Sequence, residues 1–391
     1  MKTEKNGTAL ILYPTGRIDS TNAPVFQKEI MDALHGNPVT SVALDFDQLE
    51  YISSPGLRVL LMLSKKVQEP LVIRNASPEV YDILEVTGFT SFLKAERKLR
   101  RIDITGCEII GHGGVSTVYR IDPDTIVKVY DIPNALEMIR NEQRRAKQAL
   151  LKGIPTAISY DAVRVGDGYG SVFELVNART FADLLSSEPD RMDELIRRHA
   201  AIIRKLHSIE AEPGELPDCR DIFLNYLKET GDVIPRELRE ELQKRLNAMP
   251  MDLHLIHGDL HLKNVMQCGD EPLLIDMDTL STGNPVFDLA NLYVAYQAFT
   301  RDDPRNSEMV IGIPERLCHA VWEKTLAYCI EPADEDQLPG IRDRIRALGY
   351  VRFLYLVAVL NLGGEQYRET RIRRSIEALQ ELVPRVPDFA V

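Results

Sequence analysis

Apolar positions in the first hundred residues follow two alternating periods. Residues 8–13 (TALILY), 39–46 (VTSVALDF) and 70–74 read as strands. Between and after them, residues 22–34, 57–67 and 78–87 read as helices, the first with Val25, Phe26, Ile30, Met31 and Leu34 near helical spacing. Strands that alternate with helices predict an α/β layer domain. The pattern then changes. Residues 107–110, 118–121 and 125–130 read as three strands around a glycine-rich turn, 135–152 as a helix and 171–176 as a strand. Beyond Arg191 the period is helical, apart from short apolar runs broken by polar clusters at 253–275. The expected organisation is a domain at 1–100 and a second at 101–391. The second divides into a β-rich lobe at about 104–178 and a helical lobe at about 179–391. The run 353–362 is too short to span a bilayer and reads as a buried helix.

Composition changes this picture little. A hydrophobic fraction of 44% and a charged fraction of 27% are those of a folded chain, and 391 residues suffice for two or three domains. The five cysteines are scattered without a CxxC pair, so neither a disulfide framework nor a zinc site is predicted. The polar start of the chain suggests no secretory signal, and a cytoplasmic location is expected. Residues 1–100 carry 12 basic and 12 acidic groups, so the net charge of −12 lies entirely in the second region. That balance disfavours nucleic acid and anionic membranes as partners.

Two stretches carry candidate chemistry. In the first region, Ser53-Ser54-Pro55-Gly56 joins a strand to a helix, with Ser54 reading as the N-cap and Pro55 as the first helical residue. A phosphate on Ser54 would meet the positive end of the helix dipole, which makes it a candidate regulatory site. In the second region, residues 111–118 read G-x-G-x-x-S-x-V between two strands. Gly111, Gly113, Gly114 and Ser116 are thus candidates to close over a triphosphate, and Val118 to cover the base. Ten residues on, Ile126-Val127-Lys128 ends a strand, and Lys128 is placed to hold phosphates. Glu142 or Glu137 could pair with it, Glu142 being preferred. In Phe173-Glu174-Leu175-Val176, the backbone of Glu174 and Val176 could meet adenine.

The most specific motif is His257-Gly258-Asp259-Leu260-His261-Leu262-Lys263-Asn264. Its D-x-x-x-x-N spacing places a base, Asp259, and a metal ligand, Asn264, on one loop. Twelve residues later an apolar strand delivers Asp276, a second oxygen ligand suited to Mg²⁺. There is no HExxH, which disfavours a metal-hydrolase reading of the histidines. His207 reads as a packed or capping histidine, and Asp288 as an anchor of the catalytic loop.

Both regions resemble known families. Residues 6–98 resemble the STAS (anti-sigma factor antagonist) family in Gly16-Arg17-Ile18-Asp19, Leu44-Asp45-Phe46 and the turn at 51–57. Ser54 matches the serine phosphorylated in some members, although Ser53 stands where those carry Asp. The resemblance implies an α/β fold and a protein partner. Residues from about 104 to 391 resemble the aminoglycoside phosphotransferase and choline kinase-like branch of the protein kinase-like fold. The matching residues are the 111–118 loop, Lys128, the 257–264 motif, Ile275-Asp276 and Asp288-Leu289-Ala290. This implies an α+β kinase-like fold, ATP and Mg²⁺ as cofactors, and phosphoryl transfer to a small-molecule hydroxyl. Gly258 replaces the arginine of protein kinases, and eleven residues between Asp276 and Asp288 leave no room for a long activation segment. The competing reading is a regulatory binding protein whose kinase-like part binds nucleotide or acts on Ser54 or a protein partner.

Overall fold

Leu10, Leu12, Val42, Leu44 and Ile73 lie on strands and bury their side chains in one core with Phe26, Ile30, Leu57, Leu60 and Leu63 from helices. That core belongs to the first of two units in the computed structural model, which describes all residues except 36–38, 113–114, 133–134, 270, 302–304, 331–335 and 391. The first unit comprises Met1–Asp103 with Val163–Asp167, and the second Ile104–Ala162 with Gly168–Val391.

The first unit runs β1 (Lys2–Asn6), β2 (Ala9–Tyr13), β3 (Thr15–Ile18), α1 (Ala23–Leu34), β4 (Ser41–Asp45), β5 (Gln48–Ile52), α2 (Ser54–Ser64), β6 (Val72–Ala76), α3 (Pro78–Val86), β7 (Lys94–Arg97) and β8 (Arg100–Ile102). Its sheet has the order β1-β2-β4-β6-β7, parallel except for β1, and β3 pairs separately with β5. The central strands carry the strongest apolar runs because helices cover such strands. The strand β1 was not anticipated. All five of its residues are exposed, and the backbone ladder with polar contacts such as Tyr13 Oη to Glu4 holds it, so no apolar pattern marks it. The charged stretch at 94–102 contains β7 and β8, which likewise carry no apolar period.

The second unit begins with β9 (Glu108–His112), β10 (Ser116–Asp122), β11 (Thr125–Tyr130) and α4 (Ala135–Leu151). Then come β12 (Asp161–Val165), whose residues Val163–Val165 pair with β8 inside the first unit, and β13 (Gly168–Glu174). Strands β13, β11, β10 and β9 are antiparallel neighbours in that order. Next are α5 (Phe181–Ser187), α6 (Met192–His207), α7 (Cys219–Thr230) and α8 (Arg236–Ala248). Two short ladders follow: β14 (Leu255–Ile256) pairs with β17 (Ser281–Thr282), and β15 (Val265–Cys268) with β16 (Glu271–Leu274). The unit ends in α9 (Val286–Tyr293), α10 (Arg305–Ile311), α11 (Glu315–Cys329), α12 (Leu338–Ala358) and α13 (Glu365–Leu382). One large core joins these helices. Among the described residues no helix is long and apolar enough to cross a membrane.

Two expectations are corrected. The apolar run 353–362 does not continue as a buried helix. α12 ends at Ala358, and Val359, Leu360 and Leu362 are exposed. Ser54 is not the N-cap of α2. Ser53 takes that place with extended backbone, and Ser54 is the first helical residue with Pro55 second. Proline is favoured in the first turn, where its missing N–H costs nothing, so the helix starts one residue earlier than read.

Candidate active site

Strands β9, β10, β11 and β13 sort the candidate nucleotide residues by face. Ser116 opposes Tyr130 and Val118 opposes Lys128, while Ile126 lies two residues before Lys128. Directly opposed residues and alternate residues share a face, so Ser116, Val118, Ile126, Lys128 and Tyr130 point the same way. Gly111 pairs with Val118 across the β9–β10 ladder. Gly113 and Gly114 lie outside the described residues. Glu174 ends β13 with an exposed side chain, opposite Thr125 and on the other face. Leu175 N–H donates to Asp124 C=O, at 2.8 Å, and Val176 follows beyond the strand.

Lys128 is the hub of a part-buried polar chain. Its ammonium lies 2.7 Å from Asp276 Oδ1 and 3.7 Å from Glu142 Oε1. Glu142 comes from α4, is 4% exposed, and accepts a 2.6 Å hydrogen bond from Tyr130 Oη on its other oxygen. Glu137, the alternative, is exposed. Burial alone would lower the Lys128 ammonium, but Asp276 and Glu142 outweigh it and raise its pKa. Burial pushes the Glu142 carboxyl up, against the pull of Lys128.

The loop after β14 is held from several sides. Asp288 on α9 is fully buried and accepts from His257 N–H at 3.1 Å, from Gly258 N–H at 2.7 Å and from His207 Nε2 at 2.9 Å. Burial would raise its carboxyl, yet these donors and the nearby His207 and His257 rings bring it below the usual range. Asp288 is thus the loop anchor, and His207 is its partner. Thr279 Oγ1 donates to His257 C=O at 2.7 Å. Gly258 has φ +83°, and a Cβ there would lie 2.9 Å from Thr279 Cβ and 3.0 Å from its carbonyl oxygen, so glycine is required on both counts.

Asp259 and Asn264 share a tight turn. Asn264 Nδ2 donates to Asp259 C=O at 2.8 Å, and Ile275 N–H donates to Asn264 C=O at 3.1 Å, which brings Asp276 beside Asn264. The two oxygens of Asp259 face different side chains: Oδ1 is 3.5 Å from Arg352 Nη2 and Oδ2 is 3.5 Å from His261 Nε2. Burial pushes the Asp259 carboxyl up, but His261 and Arg352 prevail and hold it well below the usual carboxylate range. Asp276 adopts left-handed backbone, φ +64°, a conformation an aspartate keeps only when its surroundings impose it. Asp278, two residues on, is pushed up to about 8 by burial and by the neighbouring Asp276 charge. The residues would fit a hard cation: the Asn264 amide nitrogen is committed to Asp259 C=O, which leaves its oxygen available to one, and Asp276 could add a carboxylate.

The sequence reading missed Arg352, which also donates from Nη1 to Gly258 C=O. It missed Tyr130 as well, although its place two residues after Lys128 on a strand was a usable signal.

A β-rich lobe followed by a helical one, a Lys128–Glu142 pair and a D-x-x-x-x-N loop with a following Asp are the parts of a kinase-like fold. Residues 106–324 match the phosphotransferase enzyme family and residues 1–102 match the STAS domain. The chain belongs to the phosphotransferase enzyme family and carries a STAS domain ahead of that part. A protein of Bordetella bronchiseptica named as a candidate anti-sigma factor antagonist, BtrV, is 36% identical over 85 residues, which cover 21% of this chain and 72% of that protein. Among solved structures, ADP-bound aminoglycoside phosphotransferase APH(2'')-Ib is similar at 15% identity and a TM-score of 0.48, covering 74% of this chain and 95% of its own. The gentamicin complex of APH(2'')-IIa is similar at 15% identity and a TM-score of 0.47, covering 72% and 94%.

Proposed function

We propose that the second unit transfers the γ-phosphoryl group of ATP to a hydroxyl of a small molecule, and that the STAS domain is a regulatory or docking module for a protein partner. One observation carries the reading. Lys128, Glu142 and Asp276 from three elements meet in one polar chain, and Asp276 is tied through Ile275 to the turn holding Asn264 and Asp259.

In this reading Lys128, steadied by Glu142, holds phosphate oxygens, and Ser116, Val118 and Ile126 present one face of the sheet to the nucleotide. The backbone of Glu174 and Val176 meets the base. Asn264 and Asp276 hold Mg²⁺, which when bound would neutralise charge on the phosphate oxygens. Asp259 orients the acceptor hydroxyl and takes its proton while the hydroxyl oxygen bonds to phosphorus and the bridging P–O bond breaks, ADP keeping the electron pair. Its carboxyl is held ionised, as a proton acceptor must be.

Calorimetry and turnover test this. The wild type is expected to bind Mg-ATP and to phosphorylate one member of a panel of hydroxyl metabolites. Asp259→Asn should lose about 10²–10⁴-fold in kcat with nucleotide affinity retained. Absence of Mg-ATP binding by the wild type would overturn the reading.

A further inference from the structure

The geometry points to Arg352 as the positioning residue for Asp259, an inference that rests on the reading of Asp259 as the base. Arg352 stands on α12, 93 positions along the chain from Asp259, and its side chain is only 12% exposed. Two of its nitrogens are directed at consecutive residues of the loop. Nη1 donates to Gly258 C=O, and Nη2 faces Asp259 Oδ1 at 3.5 Å.

Gly258, whose carbonyl Arg352 touches, is also gripped through its N–H. Gly258 N–H donates to Asp288 Oδ1 at 2.7 Å, and Asp288 stands on α9. One residue is therefore held by its N–H from α9 and by its C=O from α12, and the side chain of the next residue is Asp259. A guanidinium suits this place because its donors lie in a rigid plane and can serve a carbonyl and a carboxylate together. An ammonium could serve either group but would not fix the angle between them.

A plain carbonyl-capping role is the alternative, and charge argues against it. A neutral amide or hydroxyl would satisfy Gly258 C=O without the cost of burying a cation. The carboxylate that this cation faces is that of Asp259. With Arg352 on Oδ1 and His261 on Oδ2, each oxygen has its own neighbour, and rotation of the carboxylate is restricted. Rate then depends on Arg352 through the orientation of the base, whereas nucleotide binding, centred on Lys128, does not.

The test uses the full chain with Mg-ATP, water being the acceptor, so no identified alcohol is needed. Phosphate release gives kcat and KM, and calorimetry gives ATP affinity. Arg352→Met is expected to lower kcat about 10–100-fold with KM for ATP and ATP affinity within about two-fold of wild type. Arg352→Lys should fall between the two, and added guanidinium ion should partly restore Arg352→Ala. An unchanged kcat in folded Arg352→Met overturns the proposal, as does a loss of ATP affinity in step with kcat. If Arg352→Met does not fold, Arg352→Lys decides: a wild-type rate overturns the proposal, and a lowered kcat with intact affinity supports it. A wild type that neither binds nor hydrolyses Mg-ATP, or an Asp259→Asn variant as fast as wild type, brings down the underlying reading and this inference with it.

Discussion

His199 shows how a single buried group ties stability to acidity. It is fully buried on α6 and its Nε2 lies 2.7 Å from Leu260 C=O, so that nitrogen carries the hydrogen. Burial pushes the ring down to about 4, against an ordinary value of 6.5. Between those values the unfolded chain binds a proton that the folded chain refuses. Stability is therefore full above about pH 6.5 and is lost as the pH falls toward 4. His199→Gln keeps a donor for Leu260 and removes the titration. Urea unfolding at a series of pH values should show its stability falling less steeply than wild type from pH 6.5 to 4, with a gap of up to about 3 kcal/mol at the acid end. Parallel curves would exclude His199 as the cause. At this scale the site was legible where chemistry is compressed: Asp259, Asn264 and Asp276 fall within one short stretch at fixed spacing. Arg352 was not, because nothing around it distinguishes it from the other arginines until the helices pack.

At the scale of elements, α12 owes its position to one small residue. A Cβ on Gly349 would lie 2.7 Å from Tyr293 Cδ1 and 3.2 Å from Ala290 C=O, both on α9. Arg352 follows one turn later on the same helix. Gly349→Ala must therefore push the two helices apart or rotate Tyr293. It is expected to cost about 1–3 kcal/mol in chemical denaturation and to lower turnover, since Arg352 moves with the helix. Gly340→Ala is the matched control. Its Cβ would meet only the end of the flexible Arg344 side chain, at 3.1 Å, so stability should be unchanged or slightly raised by the better helix former. Equal losses in both variants would refute the packing argument. Elements with an apolar face were readable before the fold was seen, such as β2, β4, β11 and α4. The polar strands β1, β7 and β8 were not, because backbone pairing leaves no period in the side chains.

For the whole molecule the question is whether its two functions meet. Ser54 is exposed in the first turn of α2, and Arg58, also exposed, lies one helical turn on. If Ser54 accepts the phosphoryl group of its own chain, incubation with Mg-ATP should add one phosphate by intact-mass spectrometry. That gain should vanish in Ser54→Ala and in Asp259→Asn. A gain that survives Ser54→Ala, or none at all, leaves the STAS domain as a docking module only.

The tight approach of Gly258 to Thr279 has a consequence for control. Protein kinases hold a switch by letting an arginine of this loop read a phosphate on a long mobile segment. In this chain no side chain fits at 258, and the segment between Asp276 and Asp288 has no spare length. The loop at 257–264 therefore lacks the arginine by which a protein kinase loop reads a phosphate, and a phosphate added between Asp276 and Asp288 would meet no cation at 258. Regulation through the STAS domain at residues 1–102 is expected to work without that switch.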